Sequence, residues 1–441
     1  MRHTRLRAAT RQAMHVISAI ALAAPHAVVA RADEHPRHGD VYREFATHQS
    51  GNAWRVTELE PRHERARRHL PNPVLHVAID DLTGAIRAEA VLDRWGGHDG
   101  TLDKRIRFNG GDWLPLAEPA TMPAGTRPED YFYQDNPVVE VPLADLHTGD
   151  NTFEGLCGTS RIGWGQWGLY SLILRVYYDA AVVEHATARI TAPETGGVIG
   201  EIPTIAIEAV SPNGVARVDV LAWYEGLDED GDGVFREWHA AHHQPLRGAA
   251  ADLREHVGTV WRSPYELTWN TRHVPDQAAE GVRLVARVQD ARGAWSVTEV
   301  VDRLSLVRAA ESVRMYTANQ VPTRCGVRAG KSLALDIPIA GEDEPRAIVE
   351  AALALRTWNG SDHMHQPLEF NGRRFAIGGK NHHYDFDLHA LPPSLIRRGR
   401  SSQTGEANRL VIRSETTEHA LELLWPGPML IVRYAKAGAV E

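Results

Sequence analysis

The sequence predicts an all-β protein, and three observations predict it. Apolar residues fall in short runs rich in Val, Ile and Leu, such as VLHVAID (74–80), VVEVPL (138–143), LILRVYY (172–178) and LVIRS (410–414), each closed by Gly, Asn, Asp, Pro or Ser. Segments with helical character are few and short, namely AAADLREHVG (249–258) and LPPSLIRRG (391–399). Finally, AEAVLDRWGGHDGTLDKRIRFNGG (88–111) recurs as AALALRTWNGSDHMHQPLEFNGRR (351–374). A chain of 441 residues has room for two to four such units, each with a core of its own.

The repeat is specific in its spacing. Trp95 and Trp358 end the apolar runs, Gly97 and Gly360 follow at two positions, Asp99 and Asp362 at two more, and Phe-Asn-Gly closes each unit. Downstream, Trp167 precedes Arg175 by the same interval as Trp425 precedes Arg433. Between these blocks stand Leu146, Gly149 and Asn151 in one copy, and Gly399 and Asn408 in the other, stretched by the polar insert RSSQTGEA. These are two copies of one fold around a third unit. The repeat assigns the ambiguous AIVEAALALRTW (347–358) to a strand and places Trp95, Trp167, Trp358 and Trp425 in the shared core.

A strand, a Phe-Asn-Gly turn, a Leu-x-x-Gly-x-Asn turn and a last apolar strand together resemble the galactose-binding-like jelly roll of carbohydrate-binding modules, over about residues 70–180 and 325–435. The resemblance implies a β-sandwich that binds glycan at its loops or on a concave face. The segment of about 187–308, with Pro193, Gly200, Pro264, Tyr265, Trp269 and LVARVQDARG, resembles bacterial Ig-like domains, which implies a spacer. The expected fold is two jelly-roll β-sandwiches flanking an Ig-like β-sandwich, with domains at 33–185, 186–308 and 309–441. An insertion at about 225–257 interrupts the middle one.

The formal net charge is −9 and lacks a large basic patch, so no nucleic-acid partner is expected. The first 32 residues read as a signal peptide: four arginines, an apolar stretch from about 13 to 24, then Ala30-Arg31-Ala32. The apolar stretch is too short for a membrane span of ~20 residues. The expectation is a secreted or periplasmic bacterial protein. Cys157 and Cys325 fall in different domains and read as buried thiols.

GLDEDGDGVFREWHAAHH (226–243) begins like a calcium loop. Asp228, Asp230 and Asp232 stand at loop positions 1, 3 and 5, Gly233 at 6 and the Val234 carbonyl at 7. Position 12 is His239 where a bidentate carboxylate belongs, and Glu237 is the nearest substitute. The flanking ARVDVLAWYEG alternates as a strand, so there is no helix pair to open. Structural calcium clamping an inserted hairpin is the expectation, because three aspartates at alternate positions repel one another without a cation.

For binding, Trp164 in GWGQWG has no counterpart in the repeat and suits stacking on a sugar ring. Tyr131, Tyr133 and Asp135 in one copy, and His382, His383, Tyr384 and Asp385 at the comparable place in the other, combine aromatic and hydrogen-bonding groups on loops. The leading expectation is a non-enzymatic protein that binds carbohydrate or a cell-surface partner. The alternatives are a polysaccharide- or glycoprotein-processing lyase or hydrolase that uses those His and Tyr residues, and a structural envelope protein.

Overall fold

The computed structural model describes residues 37–48, 54–123, 126–245, 248–328, 330–339, 346–361, 363–398, 407–416 and 420–436. The signal-peptide expectation, Asp362, Gly399 and most of the RSSQTGEA insert lie outside them. The described residues form β-strands joined by turns and four 3-10 turns, so the chain is all-β and built as several sandwiches. Among them no helix is long and apolar enough to cross a membrane.

Every run read as a strand is one, including Ile348–Asn359. The two helical readings are corrected. AAADLREHVG contributes the strand Asp252–Arg254, and LPPSLIRRG a single 3-10 turn at Pro393–Leu395. Both segments are too short to offset the cost of helix nucleation.

Three hydrophobic cores follow the chain in order. The first holds Trp54, Leu92, Phe108, Phe153, Trp167 and Leu174. The second holds Ile205, Val218, Val220, Trp269 and Leu284. The third holds Ile337, Leu353, Phe370, Leu410, Leu430 and Tyr434. In the first repeat, Ala85–Trp95 and Val41–His48 pair antiparallel with Gln166–Tyr178. The opposing sheet is made of Leu75–Ile79, Gly149–Leu156, Arg105–Phe108 and Leu114–Pro115. In the second repeat, Ile348–Asn359 pairs with Met429–Ala435 and His383–Leu391. Its opposing sheet is Ser332–Ile337, Asn408–Arg413, Leu368–Phe370 and Arg373–Phe375.

The Phe-Asn-Gly motif explains itself in these sheets. Asn109 and Asn371 take left-handed backbone angles, φ 47° and 48°, ahead of Gly110 and Gly372, so each pair turns the chain between strands. Asn109 Nδ2 donates to Asn151 Oδ1 at 2.7 Å, and Asn371 Nδ2 to Asn408 Oδ1 at 3.0 Å. Asn151 in turn accepts from the His147 amide at 2.9 Å, as Asn408 does from the Arg397 amide at 2.8 Å. Asn151 and Asn408 are completely buried, which requires that their amides be satisfied. The repeat is thus duplicated down to individual hydrogen bonds.

Gln166–Tyr178 is buried on both faces and does not alternate. Leu172, Leu174 and Val176 fill the core of the first repeat, while Tyr177 packs with Tyr42, Leu221 and Trp295 toward the middle segment. The sheet itself continues into that segment, where Tyr42 pairs with Trp295. There, Val215–Glu225 pairs with Val282–Asp290 and with Gly258–Val260, and the insertion between Glu225 and Gly258 adds a further partner strand, Arg236–Trp238.

Candidate functional site

The two repeats meet at one seam. Trp95 and Trp358, expected in the two separate cores, instead pack together there with Tyr170, Tyr384, Leu424 and Phe132. Sequence spacing shows that the two tryptophans are equivalent, but not that equivalent positions face each other. Trp167 does lie in its own core.

Asp93 is the polar hub of the seam and is 1% exposed. Its Oδ1 accepts from Gln134 Nε2 at 2.6 Å and from the Tyr384 hydroxyl at 2.7 Å, and its Oδ2 accepts from the Gln244 amide at 2.9 Å. One carboxylate thereby ties the first repeat, the second repeat and the insertion. Arg356 Nη1 donates to the Gln134 carbonyl at 2.6 Å, Trp358 Nε1 to the Tyr170 hydroxyl at 3.2 Å, and that hydroxyl to the His382 carbonyl at 3.1 Å. No sequence motif marks Asp93, Gln134, Gln244 or Arg356. A buried hub of this kind carries no motif, because its partners come from distant segments.

The predicted loop residues converge on this seam, but not as wet loops. Tyr131, Tyr133, Asp135, His383 and Tyr384 are buried, so their rings and carboxyls are enclosed by protein. Asp135 binds Arg94 through two bonds of 2.8 and 2.6 Å, and burial raises its carboxyl while Arg94 opposes the rise. Tyr133 donates to Glu118, which also accepts from Lys104 at 2.6 Å. Tyr131 packs edge-on against Trp425. Burial, with Asp93 second, holds the Tyr384 phenol well above its ordinary value, so it stays a donor. His382 and Asp385 are half-buried, and Asp385 lies 3.5 Å from His243 Nε2. The His243 ring packs edge-on against Tyr384 at 4.4 Å.

Trp164 is partly buried and lies beyond His98, whose ring meets both Trp164 and the seam residue Trp95 edge-on. His63 stacks on it at 5.0 Å, His98 meets it edge-on at 4.8 Å and His69 lies at 5.6 Å. The aromatic platform read from the sequence is therefore already occupied on one face by a histidine.

The acidic segment is the tip of a hairpin whose strands are Val215–Glu225 and Arg236–Trp238, paired Glu225 to Arg236. No helix flanks it. Ligand oxygens of Asp228, Asp230 and Asp232 lie within 4.8 Å of one another, a grouping that could hold a cation. Asp228 accepts from the Gly233 amide at 2.6 Å and also from the Gly231 amide, and Asp232 accepts from the Val234 amide at 2.6 Å. Glu237 lies outside this group, in the strand opposite Tyr224. Burial first, and Asp230 second, push the Asp228 carboxyl well up from its ordinary range.

The tip is not a free insertion. Gly231, at φ 80°, lies against Arg356 and the Gln134 carbonyl, and Gly233, at φ 84°, against Thr121 and the Trp425 indole. Thr121 donates to the Asp232 carbonyl, the Asp228 amide meets Met429 Sδ at 3.4 Å, and Leu227 packs beside Val313 and Ile431. Only glycine combines this backbone angle with so close an approach. The acidic loop is wedged into the same seam as Asp93.

Charge joins each repeat to the middle segment as well. Arg175 binds Glu89 at 2.6 Å and Glu44 at 3.0 Å, and Glu44 also meets Arg287 of the middle segment at 3.4 Å. Its counterpart Arg433 stands opposite Glu350, as Arg175 stands opposite Glu89, and binds Glu201 of the middle segment at 2.6 Å. The two cysteines are buried thiols, one in each flanking core.

No family model matches the chain, and no curated protein does. Among solved structures, the fibronectin(III)-like modules of Clostridium thermocellum CbhA align at 11% identity over 46% of this chain and 78% of that one, with a TM-score of 0.17. BuGH86 in complex with neoagarooctaose aligns at 11% over 60% of this chain and 36% of that one, TM-score 0.22. A bacterial ice-binding adhesin retained at the host cell surface aligns at 11% over 84% of this chain and 100% of that one, TM-score 0.17. Likenesses of this size carry no functional argument.

Proposed function

We propose that the protein is a secreted, non-enzymatic carbohydrate-binding protein whose three modules, 33–185, 186–308 and 309–441, are held in one rigid arrangement by a calcium ion in the Asp228–Asp232 loop. The observation that carries this reading is the placement of the loop. Three carboxylates grouped within 4.8 Å are built into the seam between the repeats, where a bare acidic tip would repel itself and a cation-bound one is stiff. Asp228, Asp230 and Asp232 would supply the charge and the Val234 carbonyl a further oxygen. Rigid spacing of two sandwiches suits a protein that grips an extended glycan at more than one point.

The test is retention of the purified chain on a panel of immobilised polysaccharides, with calcium and with chelator, beside turnover assays on the same polymers. Retention without turnover is expected, and turnover would replace the reading. A polysaccharide-processing enzyme is the second reading, favoured by the meeting of His243, His383, Tyr384 and Asp385 at the seam. The burial of His243, His383 and Tyr384 opposes it.

A further inference from the structure

The seam encloses Tyr131, Tyr133, Asp135, His383 and Tyr384, and a different surface is open on the second repeat. A hollow of about 550 Å³ opens on the outer face of the second repeat's sheet Ser332–Ile337, Asn408–Arg413, Leu368–Phe370. That volume falls in the range of small-ligand sites. Its floor is low because Ala334, Val411 and Gly372 carry short side chains, and Arg397, Arg409 and Arg413 stand around it. We propose that this hollow binds an acidic polysaccharide through the carboxylate or sulfate groups of its sugars.

The duplicated fold supplies the argument. The asparagine clasp aligns the two copies residue by residue, with Asn408 on Asn151 and Asn371 on Asn109. On that alignment Arg397, Arg409 and Arg413 stand where the first repeat has His147, Thr152 and Leu156. The first repeat's central pair, Arg107 facing Glu154, becomes Glu369 facing Val411. The second copy has therefore gathered three guanidinium groups on one sheet face while the fold beneath stayed the same, in a chain whose net charge is −9.

Among the described residues, three guanidinium groups meet two carboxylates on this face. Glu369 pairs with Arg413 at 3.2 Å and Asp336 with Arg409 at 4.0 Å. Arg397 is exposed and has no ion-pair partner among the described residues. Arg413 Nε is enclosed and meets no acceptor. Arg409 and Arg413, four positions apart on one strand, span about 13 Å at the usual rise, a separation that suits a polymer better than a single anion. No aromatic ring lines the hollow. Recognition there is by guanidinium forks, which match planar carboxylates and sulfates.

This inference rests on the carbohydrate reading, and its test separates the two. Binding of the full chain is measured by calorimetry and affinity electrophoresis on polygalacturonate, chondroitin sulfate and neutral galactan, at low and at high salt. Binding to an acidic polymer, weakened by salt, is expected. An Arg397→Ser/Arg409→Thr variant with the parent's melting temperature should bind at least tenfold more weakly, and Arg107→Ser on the first repeat should bind like the parent. Polygalacturonate against chondroitin sulfate tells carboxylate from sulfate preference. Binding to neutral galactan alone overturns the inference and leaves the carbohydrate reading standing. Acidic binding that the arginine variant does not weaken also overturns the inference, and no binding to any polymer overturns both.

Discussion

The Tyr384 hydroxyl donates to Asp93 Oδ1 at 2.7 Å, across 291 residues of chain and between the two copies of the repeat. Asp93 also holds Gln134 and Gln244, so the bond belongs to a buried network. Tyr384→Phe is expected to cost about 1.5–3 kcal/mol, the scale for a lost bond to a charged group. Asp93→Ala costs more, because three donors lose their acceptor. In a double-mutant cycle the pair should couple by 1 kcal/mol or more, on the ordinary scale of contacting residues. Additive effects would place the bond outside the seam's energetics.

The glycines of the acidic tip separate backbone strain from crowding. Gly214, at φ 82° with open space around it, should lose about 1–2 kcal/mol as Gly214→Ala, the cost of left-handed backbone. Gly231→Ala carries the same strain and drives a methyl group into Arg356 and the Gln134 carbonyl, so a larger drop in melting temperature is expected. Equal drops would mean that the tip is not wedged.

Arg175 is fully enclosed, and burial of its charge is compensated by Glu44, Tyr177 and Glu89. Arg175→Ala leaves Glu44 with Arg287 and Glu89 with Arg87, each short of one buried cation, and a loss of about 3 kcal/mol or more is expected by chemical denaturation. Arg189→Ala, at an exposed pair with Glu208, should cost less than about 1 kcal/mol. A small loss at Arg175 would show that Glu44 and Glu89 rearrange.

Acid should act through buried histidines. Burial holds His98 down to about 4 and His242 to about 3. A histidine whose folded value is depressed contributes stability above its unfolded value near 6.5, and that contribution is lost as pH falls from there toward the folded value. Its slope is at most about 1.4 kcal/mol per pH unit for each histidine. His98→Asn should therefore flatten the loss of stability between pH 6.5 and 4. Glu422 runs the other way: burial raises it to about 7, so its contribution is present at low pH and lost as pH rises through 7. Glu422→Gln should stabilise the protein at pH 8 and change little at pH 4. Parallel pH profiles for parent and variants would contradict both assignments.

Much of the fold was legible because its signals are local. Strand runs, Asn-Gly turns and the spacing from Trp167 to Arg175 depend on residues close in sequence, and the duplicated clasp of Asn109 and Asn371 is where that reading was most faithful. The seam was not legible. Trp95 and Trp358 look like core residues from spacing alone, since a buried tryptophan between two sandwiches and one inside a sandwich share the same pattern. Tyr131, Tyr133 and Tyr384 looked like loop aromatics for the same reason. The flanking strand marks the acidic tip as a hairpin device, yet its contacts with Gln134, Arg356 and Trp425 need all three segments in place.

The central claim is that a cation in the Asp228–Asp232 loop holds the seam, and calorimetric melting of chelator-stripped protein tests it most directly. Added calcium is expected to raise the melting temperature in the parent and to leave it unchanged in Asp230→Asn, with magnesium a poorer substitute because it favours a tighter, octahedral shell. A parent melting curve that calcium does not move would contradict the account.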